Sequence, residues 1–179
     1  AYLAAFGSLL VQLDGLIGSR GIVPAAEYMD RAATVLGRRG LWDIPTVFWL
    51  NASDRMLHAV CWSGVFGAVM LVAGIMPVAC LVWLWVAYLS FVSVGYPFLS
   101  YQWDSLLLES GFLAILVAPW VVRLDRARGG PPVVGVWLVR WLVFRLMFLS
   151  GLVKITRRDP SWAAWTAMRY HYETQPLPT

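Results

Sequence analysis

The sequence predicts an all-α protein, a polytopic membrane helical bundle with about five transmembrane helices. Hydrophobic residues make up 60% of the 179 residues and charged residues only 13%, whereas soluble domains average roughly 45–50% apolar and about 25% charged. The mean hydropathy is +0.67. The apolar residues are also grouped in runs close to the length that crosses a hydrocarbon core of about 30 Å. These observations exclude an ordinary soluble globular domain.

Five apolar runs are candidates for membrane spans, namely residues 1–17, 57–75, 78–95, 105–122 and 133–153. The polar segment between the first two, residues 18–56, contains prolines and glycines that predict one or two short helices at the membrane surface. We expect a single membrane-embedded bundle over residues 1–179 with an extramembrane tail over residues 155–179. We also expect this chain to be a segment of a longer protein with a further C-terminal domain.

The second and third runs are predicted to be antiparallel neighbours. Met76-Pro77 lies between them, and a proline ends the preceding helix and can begin the next one. The second run also carries two overlapping pairs of small residues four positions apart, Ser63 with Gly67 and Gly64 with Ala68. Such pairs let helix backbones approach closely in lipid.

The distribution of basic residues bears on partners and orientation. The formal net charge is +4, but the Lys and Arg residues are dispersed, so we expect no nucleic-acid partner and contact with membrane lipids instead. The short loop with Arg123, Arg126 and Arg128 is typical of a cytoplasmic loop, which would place the C-terminal tail on the luminal or exported side. Other segments carry arginines too, and charge alone therefore leaves the orientation open.

Charged residues lie inside two of the predicted spans, and they are the first candidate site residues: Asp104, Glu109, Arg140, Arg145 and Lys154. Charges within a bilayer are costly and are usually paired or line a polar cavity. In antiparallel fourth and fifth helices, Glu109 lies about 6 Å and Arg145 about 12 Å from the same face, a gap that an Arg side chain can cross. We therefore predict that Glu109 pairs with Arg145.

The other intramembrane charges lead to two further expectations. Asp104 and Lys154 both lie near the membrane boundary, so we expect them to be close together. Arg140 has no carboxylate at its level in the fourth helix, and it either reaches the interface or bonds to Tyr88 or to backbone carbonyls. The whole set of charges either fixes the register of the helices or forms a pocket for a substrate or a proton.

The tail contains the second group of candidate residues. Its first part, from Asp159 onward, suggests an amphipathic interfacial helix that carries Trp162 and Trp165. The motif that follows is formed by His171, Tyr172, Glu173, Thr174, Gln175 and Pro176. His171 and Glu173 could form an acid–base couple or bind a metal, but the chain has only 2 His residues, so we predict no metal site and favour a hydrogen-bonded histidine.

Four stretches carry a resemblance to a known family. They are FGSLLVQLDGLIGSRGIVPA, YLSFVSVGYPFLSYQWDSLLLESGFLAILVAP, VRWLVFRLMFLSGLVKI and, above all, YHYETQPLP. Together they resemble the N-terminal membrane region of the lipase maturation factor family, over nearly all of the chain. The resemblance implies an endoplasmic reticulum membrane protein in a eukaryote, or an inner or plasma membrane protein in a bacterium. It also implies a chaperone-like role in the maturation of secreted homodimeric lipases, without a cofactor and without catalysis.

A second, shorter resemblance suggests an enzyme. Ser150-Gly151-Leu152-Val153-Lys154, with a tryptophan a few residues later, is similar to the membrane domain of vitamin K-dependent gamma-carboxylase. That likeness implies Lys154 as a base toward a quinol, with a quinone-type lipid as cofactor. The alternative is a structural Lys154 that caps helix carbonyls or neutralises Asp104.

Overall fold

The computed structural model describes residues 1–126, 129–157 and 159–174. These residues form nine α-helices: α1 (Tyr2–Leu16), α2 (Ala25–Leu36), α3 (Gly40–Asp43), α4 (Asp54–Val72), α5 (Pro77–Val94), α6 (Gln102–Val117), α7 (Val133–Thr156), α8 (Pro160–Ala163) and α9 (Ala167–Thr174). Three short 3₁₀ turns occur at Gly37–Arg39, Val47–Trp49 and Leu124–Arg126. In the described part of the chain, β-structure is limited to one isolated bridge between Ile75 and Arg123. The all-α prediction is confirmed.

Three of these helices, α4, α5 and α7, are long and apolar enough to cross a membrane. Helix α1 is apolar but has 15 residues, and α6 has 16. The chain is therefore a polytopic helical membrane protein, as predicted, whereas the number five stays a prediction. Helix α6 starts earlier than the predicted run 105–122 and also ends earlier. It ends earlier because Pro119 follows its last turn and disfavours helical backbone at Ala118.

The chain divides into two compact units, Ala1–Val136 and Trp137–Thr179. In the first unit α1 packs on α4, α4 on α5 and α5 on α6. The indole of Trp85 on α5 donates to the carbonyl of Leu108 on α6 at 2.9 Å. The centre is aromatic: the Phe6 ring lies 5.7 Å from that of Tyr88, and the Phe91 ring lies 5.1 Å from that of Phe48.

Helices α4 and α5 form the predicted antiparallel pair. Pro77 is the first residue of α5, and Met76 before it has a left-handed backbone with φ of 45°. At Gly64 a Cβ atom would lie 2.6 Å from the buried ring of Phe6, whereas at Gly67 it would lie 3.6 Å from Trp83. Gly64 is thus required for the approach of α1, and Gly67 merely borders α5.

The two ends of the first unit are different. At one end the α4–α5 turn is joined to the segment after α6, since the amide of Met76 donates to Val122 and that of Leu124 to Gly74, both at 2.8 Å. Arg123 lies at this end. The opposite end holds the C-terminus of α1 and the N-termini of α4 and α6.

The segment between α1 and α4 contains α2 and α3, in agreement with the prediction of one or two short helices. Its end is fixed to α5, because the amide of Val47 donates to the hydroxyl of Ser90 at 3.0 Å and the hydroxyl of Thr46 donates to the Ser90 carbonyl at 3.3 Å. Phe48 is buried beside these bonds. The segment is therefore an ordered part of the first unit.

The second unit contains most of α7, followed by α8 and α9. Asp159 caps α8, and its carboxylate accepts from the hydroxyl and the amide of Ser161 at 2.7 and 2.8 Å. These two hydrogen bonds hold the pKa of the Asp159 carboxyl below its usual range, and the bond from the Ser161 hydroxyl has the larger effect. Helix α8 has only four residues, and Trp165 after it has a left-handed backbone with φ of 59°. The expected interfacial helix with both tryptophans is therefore interrupted before Trp165.

Candidate functional site

A buried carboxylate marks the candidate site in the first unit. Asp104 lies in the first turn of α6 and is only 3% exposed. The hydroxyl of Tyr88 on α5 donates to its Oδ1 at 2.6 Å, and the amide of Tyr101 donates to its Oδ2 at 3.1 Å. Asp104 thus satisfies a free amide at the start of α6 and joins that helix to α5.

A cleft of about 600 Å³ opens beside this carboxylate, among α1, α5, α6 and the α5–α6 connection. The polar part of its lining consists of Ser8, Gln12, Tyr88 and Asp104. The apolar wall consists of Ala1, Ala5, Leu9, Leu16, Phe98, Leu99 and Leu107. Tyr101 and Trp103 complete the lining; both are exposed, and their rings stack at 4.7 Å. The volume is that of a small-molecule pocket, about 300–1,000 Å³.

The hydroxyl of Tyr2 is a third buried polar group, near Asp104 and Tyr88. The Tyr2 ring meets the ring of Tyr88 edge-on at 6.1 Å, and its hydroxyl packs against Gly111 on α6, where any Cβ atom would overlap with it. The hydroxyl is buried and has no hydrogen-bond partner among the described residues. Gly111 therefore allows α1 to approach α6 closely.

A separate polar cluster lies at the same end of the first unit, on α1 and α4. His58 Nε2 and Asp14 Oδ1 are 2.7 Å apart, and Asp54 accepts from the amide of Ser19 at 2.8 Å and from its hydroxyl at 2.5 Å. With Arg20 and Gly18 these residues line a shallow pocket. The sequence analysis did not select His58 as a site residue and missed this cluster. The spacing of Asp54 and His58, one helical turn apart in the first turns of α4, was the available signal.

Two of the three basic candidates of α7, Arg140 and Lys154, lie beside tryptophans. The guanidinium carbon of Arg140 lies 5.6 Å from the centroid of the Trp137 ring, and Lys154 Nζ lies 4.4 Å from that of Trp162. Both distances are within the range of cation–π attraction. The Tyr88 hydroxyl, considered above as a partner of Arg140, donates to Asp104, and its pairing with Arg140 stays a prediction.

The two ion pairs expected from the sequence remain predictions. Glu109 and Asp104 belong to α6 in the first unit, and Arg145 and Lys154 belong to α7 in the second. The structure also brings together two residues that the sequence analysis did not connect, Asp104 and Tyr88. They lie on neighbouring helices 16 residues apart, and only the packing of α5 on α6 makes them partners.

The tail motif is helical in its described part. His171, Tyr172 and Glu173 lie in α9, which ends at Thr174, and the rings of His171 and Tyr172 are 5.9 Å apart. Gln175 and Pro176 lie outside the described residues. Over residues 1–126, 129–157 and 159–174, no group of three or more His, Cys, Asp or Glu side chains is placed to hold a metal ion.

Comparison with known proteins identifies the family. The family model described as "Lipase maturation factor transmembrane domain" matches residues 1–179. The chain belongs to the lipase maturation factor family. The resemblance noted in the sequence is thereby confirmed, and so is the interpretation of the chain as an integral membrane protein.

Individual relatives give the same result. The chain is 45% identical to lipase maturation factor 2 of Gallus gallus over 192 residues, which cover 100% of the chain and 26% of that protein. It is 44% identical to human lipase maturation factor 2, covering 99% of the chain and 27% of the relative. It is 36% identical to human lipase maturation factor 1, covering 99% of the chain and 33% of the relative. The chain thus spans about a quarter to a third of these relatives, and no solved structure matches it significantly.

Proposed function

We propose that this chain is the membrane domain of a maturation factor that assists the folding and assembly of secreted, homodimeric lipases. The match of the lipase maturation factor family over residues 1–179 is the observation that carries the proposal. The factor is not itself an enzyme and needs no cofactor. Its client is a lipase that would otherwise be secreted with low activity.

The membrane is that of the endoplasmic reticulum in a eukaryote, or the inner or plasma membrane in a bacterium. The connection after α6 with Arg123 is proposed to face the cytoplasm, by the excess of basic residues in short cytoplasmic loops. Asp104 and the cleft lie at the opposite end of the first unit, which is then the luminal or exported end. Helix α7 follows the connection with Arg123 and precedes the C-terminal tail. If α7 crosses the membrane once, the tail is on the luminal or exported side.

The cleft beside Asp104 is proposed as the working site of the domain. A buried carboxylate in a membrane protein is costly to maintain, so such residues usually serve a pathway, a pocket or a specific partner. Asp104 is nearly inaccessible, yet it forms part of the wall of a cleft large enough for a ligand. Glu109, Arg140, Arg145 and the described part of the tail motif are proposed to maintain helix register and the position of the tail.

Lys154 distinguishes a folding factor from an enzyme related to gamma-carboxylase. In the enzyme alternative, Lys154 must be a neutral amine that takes a proton from a quinone-type lipid in its reduced form. The face of the Trp162 ring lies 4.4 Å from Nζ, and an aromatic face attracts an ammonium cation. This contact favours a structural Lys154.

The test is the specific activity of a secreted lipase, per mass of lipase protein, when it is co-expressed with the full-length protein. Three cultures are compared: wild type, Lys154→Arg, and no factor. Arginine retains the positive charge and the stacking on Trp162 but is effectively never deprotonated. The amount of factor in the membrane is measured by immunoblot so that activities are compared at equal levels.

A folding factor raises lipase activity equally as wild type and as Lys154→Arg. Activity with wild type alone would favour proton transfer by Lys154, and the intact mass of the client would then show whether a group has been added. Equal activity in all three cultures would contradict the proposed role in lipase maturation.

A further inference from the structure

We propose that the cleft beside Asp104 binds one phospholipid with a primary ammonium headgroup, of the phosphatidylethanolamine type. In this arrangement the ammonium group donates to the Asp104 carboxylate. An acyl chain of the same lipid lies along the apolar wall of the cleft. The proposal concerns a lipid bound by the domain itself and does not depend on the identity of the client.

The first argument is the hydrogen-bonding capacity of Asp104. An ionised carboxylate offers about four lone-pair sites, and Asp104 accepts two hydrogen bonds, from Tyr88 and from Tyr101. In the described part of the first unit, Asp104 belongs to no ion pair. A buried charge is usually paired with an opposite charge as well as hydrogen-bonded. An ammonium group supplies both the positive charge and N–H donors.

The second argument is the chemistry of the cleft wall. Leu9, Leu99 and Leu107 offer an apolar surface, while Ser8 and Gln12 on α1 carry polar groups within the same cleft. The exposed Tyr101 and Trp103 rings lie in its lining, and such rings prefer the headgroup level of a bilayer. A ligand that is polar at one end and apolar at the other, and that is abundant at this level of the membrane, fits these surroundings.

Charge and donor chemistry decide among the phospholipids. A choline headgroup is cationic but has no N–H group to donate to Asp104. A phosphoglycerol headgroup is anionic as a whole and has no cationic group that could pair with the buried carboxylate. An ethanolamine headgroup carries three N–H donors on a compact cation, and hydrogen bonds between charged groups are the strong ones.

Native mass spectrometry of the detergent-solubilised full-length protein tests the inference. The protein is titrated with dioleoyl phosphatidylethanolamine, phosphatidylcholine or phosphatidylglycerol, and retained lipids are counted. We expect one phosphatidylethanolamine to be retained with about tenfold preference over phosphatidylcholine, the ratio for one charge-assisted hydrogen bond. Glycerophosphoethanolamine, which has the same headgroup without acyl chains, should bind much more weakly because the apolar wall then contributes nothing.

Two matched variants on α1 locate the bound lipid. Ser8 is exposed and lies in the cleft lining, whereas Ala4, one turn earlier, is exposed and outside it. Ser8→Phe should fill the cleft and reduce retention of phosphatidylethanolamine to the level of phosphatidylcholine. Ala4→Phe adds the same ring outside the cleft and should leave retention unchanged. Neither position is in the buried core, so both variants should fold.

Asp104→Asn examines the carboxylate itself, because the amide keeps an acceptor oxygen but removes the charge. It should abolish the preference between the two lipids without abolishing lipid retention in general. Equal retention of both lipids by wild type, or full retention by Ser8→Phe, would overturn the proposal. Equal retention of both lipids by wild type is expected if the cleft instead receives a basic side chain of a client polypeptide.

Discussion

Among the apolar helices of the first unit, the two long ones, α4 and α5, differ in chemistry from the two shorter ones, α1 and α6. Helices α4 and α5, with 19 and 18 residues, are long enough to span a membrane and pack on each other through small and apolar residues. Helices α1 and α6, with 15 and 16 residues, carry most of the polar groups of the cleft, namely Ser8, Gln12 and Asp104. Helices α4 and α5 thus form the frame, and the site lies where α1 and α6 meet Tyr88 of α5.

The difference follows from the cost of polar groups in a bilayer. A charge in mid-bilayer costs several kcal/mol, and the cost decreases toward the interface. Asp104 in the first turn of α6 lies near a helix end, where aromatic residues such as Trp103 are also favoured. Asp14 near the end of α1 is a second example. Between α4 and α5 the polar contact is a neutral one, the hydrogen bond from the Trp83 indole to the Ser63 hydroxyl at 3.1 Å.

The largest effect is expected from Asp104→Ala. This change removes two hydrogen bonds and leaves the Tyr88 hydroxyl buried without an acceptor, which costs about 1–3 kcal/mol, in addition to about 1 kcal/mol for the lost cap of α6. The midpoint of thermal unfolding in detergent should decrease strongly. Asp104→Asn retains one acceptor and should be less destabilising. If both substitutions left the midpoint unchanged, the hydrogen bonds of Asp104 would not stabilise the bundle.

A smaller loss is expected within the frame, from Gly64→Ala. The added methyl group would lie 2.6 Å from the ring of Phe6, and overpacking a core costs about 1–3 kcal/mol. Gly67→Ala is the matched control on the same helix, because its methyl group would be in ordinary contact with Trp83 at 3.6 Å. Unfolding midpoints should therefore decrease for Gly64→Ala only. Equal effects at the two positions would contradict the close approach of α1 to Gly64.

Two tyrosine substitutions compare the loss of a hydrogen-bonded hydroxyl with the loss of one that has no partner among the described residues. Tyr88→Phe removes the donor to Asp104, and such bonds in membrane proteins contribute about 0.6–1.7 kcal/mol. Tyr2→Phe removes a buried hydroxyl that has no partner among the described residues, so it should be neutral or stabilising. Comparison of the two unfolding midpoints checks this. A comparable loss in Tyr2→Phe would show that the Tyr2 hydroxyl is hydrogen-bonded.

The smallest effect is expected at the second polar cluster. The side chain of Asp14 is 73% exposed and that of His58 is 36% exposed, and exposed ion pairs contribute less than about 1 kcal/mol. Asp14→Asn should therefore change the unfolding midpoint by less than any of the destabilising substitutions above. A loss as large as that of Asp104→Ala would show that this cluster stabilises the first unit as much as the polar groups of the cleft do.

Much of the frame could be predicted from the sequence, because its signals are local. The apolar runs predicted the long helices, Met76-Pro77 predicted the turn between α4 and α5, and Gly64 predicted a close helix contact. Helix α6 was placed too far along the chain, since hydropathy does not detect a start set by Asp104 and Tyr101 or an end set by Pro119.

The site was only partly predictable. Asp104 was recognised as unusual from its position in an apolar region, but its bond to Tyr88 depends on how α5 packs on α6. The Asp14 and His58 pair likewise joins residues 44 positions apart. Sequence patterns indicate which residues are costly to bury, and only the packing of the helices shows which of them meet.

The central claim is that the cleft beside Asp104 is the site of a lipase maturation factor. The most direct test compares Ser8→Phe with Ala4→Phe in the full-length protein. The specific activity of the co-expressed, secreted lipase is measured at equal membrane levels of the two variants. The cleft is the working site if Ser8→Phe lowers lipase activity toward the level without factor while Ala4→Phe supports wild-type activity. Wild-type activity with both variants would contradict it.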